Sequence, residues 1–217
     1  QFLQMPDRRT QLVTVLLTQI DVWLSAGDLA RAEAVQQKAR ALLQQLNDPY
    51  LTAQLSFSEA QLSLARHQPE AAEQQLLKAA QLFPQLGNRS MQHETSITLT
   101  EVALQQQQLE KARAYLPADL QVDTLPVFLQ HKYWDVLSRI HANSGQWQAA
   151  YQTALSANQA RFELQADQQQ QRLDQLAKGL KLQQQMASLS AQNTVQQYWL
   201  WSLLATVMVS WLGVLFY

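Results

Sequence analysis

The chain has 217 residues, 47% of them hydrophobic and 15% charged, with a formal net charge of −1 and no cysteine. That is apolar enough for a packed core and too apolar for a disordered chain. The near-neutral charge offers no basic face of the kind nucleic-acid binding needs, and the lack of Cys excludes disulfides, thiolate nucleophiles and cysteine–zinc sites. Glutamine is over-used, which favours helix without adding charge, and β-branched residues seldom alternate with polar ones. The expected class is all-α.

Residues 1–6 read as the tail of an earlier helix. Asp7 then caps a helix carrying Leu12, Leu16, Ile20 and Trp23 at helical spacing, Gly27-Asp28 makes a turn, and a second arm returns to close a hairpin over about 7–46. Asp48-Pro49 opens the second hairpin, 48–86, with an acid to accept free amide hydrogens and a proline that needs no partner. Its turn is His67-Gln68-Pro69, and Pro84 ends its second arm. The third hairpin, 88–116, turns without a glycine over 105–108 and is cut short by Pro117. The fourth, 126–156, is the most complete: Trp134, Leu137 and His141 on one arm, Gly145 at the turn, and Ala150, Ala154 and Ala157 on the other. Ala32, Ala72, Ala112 and Ala150 fall at the same place in the four copies, at a period near 40 residues. Small residues in register allow helices to approach closely, and such a period marks a stacked helical repeat. The array is expected over 1–156.

Residues 157–197 contain no proline and one glycine, Gly179. They read as one helix on the order of 60 Å long at 1.5 Å per residue. Leu173, Leu176 and Leu180 form one short seam, and Leu182, Met186 and Leu189 a second, out of register with it. Two readings stay open here: a polar connecting helix docked on the last repeat, or a parallel coiled-coil stalk pairing a homodimer. Residues 198–217 then run without a charge, with Tyr198, Trp199 and Trp201 at one end and Phe216 and Tyr217 at the other. That length and aromatic placement predict a single transmembrane helix. Ser202, Thr206, Ser210 and Gly213 share a small-residue stripe on which two such helices could pack. No Lys or Arg lies between Leu182 and Gln197, which predicts repeats outside the cytoplasm. The chain opens on Gln1, so either a leader has been removed or it is a piece of something longer, and its last helix stops at its own interface, so more protein is expected beyond Tyr217.

Chemistry-bearing patterns are sparse. The five glycines are scattered, so no phosphate-cradling loop is expected, and His67, His93, His131 and His141 lack the paired spacing of a helical zinc site. His93-Glu94 and Ser138 with His141 have no third orienting group. The expectation is no metal, no cofactor and no catalytic residue.

In Trp134, Leu137, Gly145, Ala150 and Ala157, then in Gly27, Ala32 and Ala39, and in Ala72, Ala79 and Pro84, the chain resembles the tetratricopeptide repeat family. It departs from it in lacking the Leu-Gly pair of the first helix and in its longer period. The resemblance implies an α-solenoid whose first helices line a concave face that receives a peptide or protein. By register that face includes Asp21, Phe57, Gln61, Glu101, Asp135 and Arg139. The basic clamp some members use for a terminal carboxylate is missing. Repeats, a Gln/Leu-rich helix and a spanning segment together resemble the input half of bacterial sensors. There, an extracytoplasmic array precedes a diguanylate cyclase (the favoured output) or a histidine kinase. This implies a single-pass protein of the bacterial inner membrane with periplasmic repeats. The alternative is a membrane-anchored adaptor or assembly scaffold with no output domain.

Overall fold

The computed structural model describes residues 8–117 and 120–215, with the side chains of 188–196 and 205–215 outside that description. Among these residues the chain is all-α: α1 (Arg8–Ser25), α2 (Leu29–Leu43), α3 (Pro49–Ala65), α4 (Pro69–Leu82), α5 (Arg89–Gln105), α6 (Leu109–Tyr115), α7 (Val127–Asn143) and α8 (Trp147–Leu215), with a 3₁₀ turn at Val122–Thr124. They form two compact units, Gln1–Phe162 and Glu163–Tyr217.

Four hairpin turns repeat one backbone device. Gly27, His67, Gln107 and Gly145 each adopt a positive φ, at +75°, +59°, +60° and +72°. The amide of the next residue in each case donates to a carbonyl five positions back: Asp28 to Trp23 at 2.9 Å, Gln68 to Ser63 at 2.9 Å, Gln108 to Ala103 at 2.8 Å and Gln146 to His141 at 2.9 Å. Carbonyls left over at the helix end are thereby satisfied. Glycine adopts this conformation freely, whereas a residue with a Cβ is strained by roughly 1–2 kcal/mol. Packing of the arms must hold His67 and Gln107 there. Entry to the helices is set by acceptors: Asp28 takes the Arg31 amide at 3.0 Å, Asp48 those of Tyr50 and Leu51, and Asn88 that of Met91 at 3.1 Å. The expected cap at Asp7 lies outside the described residues.

Each core cluster combines one hairpin with the first helix of the next. Val13, Leu16, Leu17 and Ile20 of α1 meet Ala32, Ala39 and Leu43 of α2 and Leu51, Leu55 and Leu62 of α3. Phe57 and Ala60 of α3 meet Ala72, Leu76 and Ala79 of α4, Phe83 just beyond it, and Leu99 and Val102 of α5. Ile97 and Leu104 of α5 meet Ala112 of α6 and Leu129, Tyr133, Val136 and Ile140 of α7. Ala32, Ala72 and Ala112 have no exposed surface. Only a methyl group separates the helices there, which is why the arms pack tightly and the hairpins stack. This helical-repeat architecture fits an α-solenoid.

Polar pairs seal successive hairpins. Arg40 on α2 pairs with Glu59 on α3 at 2.6 Å, and Glu33 on α2 with Arg66 at the end of α3 at 2.6 Å. Glu73 on α4 takes Lys111 at 3.2 Å and the Tyr115 hydroxyl at 2.8 Å, both on α6. Arg113 on α6 donates to the Ser144 hydroxyl at 2.5 Å, at the end of α7.

In the second unit the structure corrects the sequence reading. A transmembrane helix is expected over 198–217, but among the described residues no helix is long and apolar enough to cross a membrane. Of the expected packing stripe, Ser202 donates to its own helix at the Trp199 carbonyl, 2.8 Å away. Thr206, Ser210 and Gly213 lie outside the described side chains. The single-pass inner-membrane placement and the periplasmic assignment of the repeats fall with the spanning helix. Leu173, Leu176, Leu180, Leu182 and Met186 are all exposed; Leu189 lies outside the described side chains.

Candidate functional site

A groove of about 240 Å³ opens where α1, α3 and α5 face one another. Its walls are Thr14, Leu17, Thr18 and Asp21 from α1, Gln54, Phe57, Ser58 and Gln61 from α3, and Met91 and Glu94 from α5. Three of the residues expected on a concave face, Asp21, Phe57 and Gln61, come together here. Phe57 is 6% exposed, so it belongs to the core and offers the groove only an edge. Gln61 is half-buried, and Asp21 is open to solvent. Asp21 and Gln61 also border a shallower extension with Leu24, Ser25, Leu64 and Ala65.

The other expected residues are placed differently. Glu101 is half-buried near the end of α5 and does not line the groove. Asp135 and Arg139 pair with each other along α7 at 3.7 Å, so their charges largely cancel.

Glu94 is the functional candidate that sequence reasoning missed. It sits across the groove from Asp21, 73 residues away in the chain. Although Asp21 as a residue is exposed, its carboxyl is partly withdrawn from water by the groove walls, which pushes it above its ordinary range, and the Glu94 charge pushes it further the same way. Glu94 is itself held by Lys132 of α7 at 3.5 Å. A signal for it existed. The forty-residue step that relates Asp21, Gln61 and Glu101 also relates Thr14, Gln54 and Glu94, and all three of these line the groove.

Behind the groove, α5 carries three buried threonines that donate within their own helix: Thr95 to the Met91 carbonyl at 2.7 Å, Thr98 to Glu94 at 2.8 Å and Thr100 to Ser96 at 2.9 Å. Their hydroxyls are thereby satisfied without reaching into the groove.

A larger cleft, about 720 Å³, lies between the start of α5 and the segment containing Pro117 and residues 120–126. Arg89, Gln92 and His93 line it beside Pro117, Gln121 and Thr124. Burial, aided by the Arg89 charge, lowers the His93 pKa below its usual value and so favours the neutral ring. None of the expected site residues reaches this cleft. Of the remaining histidines, His131 Nδ1 lies 3.0 Å from the Ala157 carbonyl and His141 Nδ1 2.6 Å from Gln146 Oε1. Among the described residues, no group of three or more His, Asp or Glu side chains is placed to hold a metal ion.

No protein-family model matches the chain, and neither a curated protein nor a solved structure shows significant similarity to it. The class defined by fold and groove is therefore a helical-hairpin repeat protein with a mixed polar and apolar concave site.

Proposed function

We propose that this chain is a tetratricopeptide-like interaction module that holds an extended segment of a partner protein or peptide in the groove between α1, α3 and α5. It serves as an adaptor or as the input part of a larger assembly, and acts by binding. The observation that carries the reading is the convergence of Asp21, Gln61 and Glu94, from three successive hairpins, on one groove floored by the Phe57 edge. Amide and hydroxyl side chains (Thr14, Thr18, Gln54, Gln61) suit the hydrogen bonds of an extended backbone. The two carboxylates favour a segment carrying Lys or Arg, because such a cation would offset both effects that raise the Asp21 pKa, burial first and then the Glu94 charge.

Panning a displayed random-peptide library against the whole chain tests this. Enriched peptides should be rich in basic residues and should bind the Asp21→Lys/Gln61→Trp variant at least tenfold more weakly. Undiminished binding to that variant refutes the groove as the site.

A further inference from the structure

The exposed face of α8 within the first unit repeats the surface that α2 uses to meet the next hairpin. On α2, Glu33 and Arg40 reach forward to Arg66 and Glu59 of α3. Ala32 in the first hairpin corresponds to Ala150 in the fourth, so Glu33 corresponds to Tyr151 and Arg40 to Asn158. The equivalent positions Glu73 and Arg113 also reach forward, to α6 and to Ser144. At the fourth copy the charge is replaced by an apolar stripe. Trp147, Tyr151, Leu155 and Phe162 recur at steps of four, four and seven residues, which is one helix face, and each is at least half exposed. Among the described residues nothing follows to cover it, because α8 itself takes up the sequence as far as Leu215. At the other end of the described hairpins α1 also carries an exposed apolar face. Leu12, Val15 and Val22 share a face of α1 and are roughly half exposed, on a helix whose core side is Val13, Leu16, Leu17 and Ile20.

We propose that these two faces bind each other between copies of this chain: α1 of one copy lies on α8 of another, in the position a fifth hairpin's first helix would occupy. The contact continues the interface already used at the internal junctions, with apolar side chains where those junctions use ion pairs or, at Arg113 and Ser144, a hydrogen bond. Because the two surfaces differ, the contact is head-to-tail, so it builds a ring or an open chain and not a symmetric dimer. It is independent of the groove and stands whether or not the groove binds a peptide.

Sedimentation equilibrium of the full chain and two surface variants tests it, with circular dichroism to establish that each is folded. The wild type should show an average mass that climbs with concentration past twice the 24.7 kDa of one chain. Val15→Glu/Val22→Glu blocks the α1 face and Tyr151→Glu/Phe162→Glu the α8 face. Each variant alone should stay monomeric, and an equimolar mixture should form a 1:1 dimer and stop there, since each supplies the face the other lacks. A monomeric wild type overturns the proposal. So does an α1-face variant that still associates by itself, which would mean that α8 pairs with α8. Association that survives both blocks in one chain also overturns it, and assigns pairing to the exposed leucines beyond Phe162.

Discussion

Substitution of Ala72 by leucine measures how tightly the hairpins are stacked. Ala72 has no exposed surface and lies in the cluster with Phe57, Leu76, Phe83 and Leu99. Leucine adds three carbons. With free space beside Ala72, their burial would stabilise the protein by about 2.4 kcal/mol at roughly 0.8 kcal/mol each. The close helix approach that the alanine permits removes that space, so overpacking should win and cost about 1–3 kcal/mol. At about 2–4 °C per kcal/mol for a chain of this size, the midpoint should fall by about 2–12 °C. Ala150→Leu is the matched control: the same place in the fourth hairpin, but half-buried, with a change expected below about 1 kcal/mol. Urea denaturation of both variants decides the matter. A leucine at 72 that is neutral or stabilising would refute the claim that alanine sets the helix spacing.

Asp21→Asn should raise stability slightly near neutral pH, by less than about 1 kcal/mol. The folded-state pKa of Asp21 is raised, so the ionised carboxylate disfavours the fold. The wild type therefore loses that increment as pH rises from 3.8 through the folded value, and the gap between the proteins should close on acidification. A gap that widens in acid would contradict the assignment. Glu33 behaves oppositely. Its hydrogen bond and charge contact with Arg66 lower its pKa, so its contribution is present above 4.5 and lost as pH falls through the folded value. Arg66→Met should remove that dependence, seen as a flatter midpoint-against-pH curve across the acid range. At the turns, Gln107→Gly should stabilise by about 0.5–1 kcal/mol by relieving a positive φ, and Gly27→Ala should cost about 1 kcal/mol. The added Cβ at residue 27 meets nothing within 4 Å, so that loss would be purely backbone strain. Thermal melts that order the two variants the other way would refute the shared turn geometry.

Much of this architecture could be read along the chain. A fixed step carries Gly27 to His67 and Gln107, and Ala32 to Ala72 and Ala112, because a turn and a close helix contact each depend on a few neighbouring residues. The same step reaches Asp21 and Gln61, and it would have reached Glu94 had the position of Thr14 been followed. Other features depend on what faces a residue in space. Packing of α1, α3 and α5 around one groove sets Glu94 opposite Asp21, Lys132 holds Glu94, and Phe57 sinks into the core although it is expected on an open face. Asp135 and Arg139 look available in sequence, yet they neutralise each other along one helix.

The expected membrane helix shows the limit from the other side: residues 198–217 carry no charge, yet among the described residues no helix is long and apolar enough to cross a membrane. By itself the sequence determined the local repeat, because helix, cap and turn are short-range events. Only the tertiary structure decided which repeated positions become core, groove or bare end face. Those outcomes depend on burial and on charges brought together from residues dozens of positions apart.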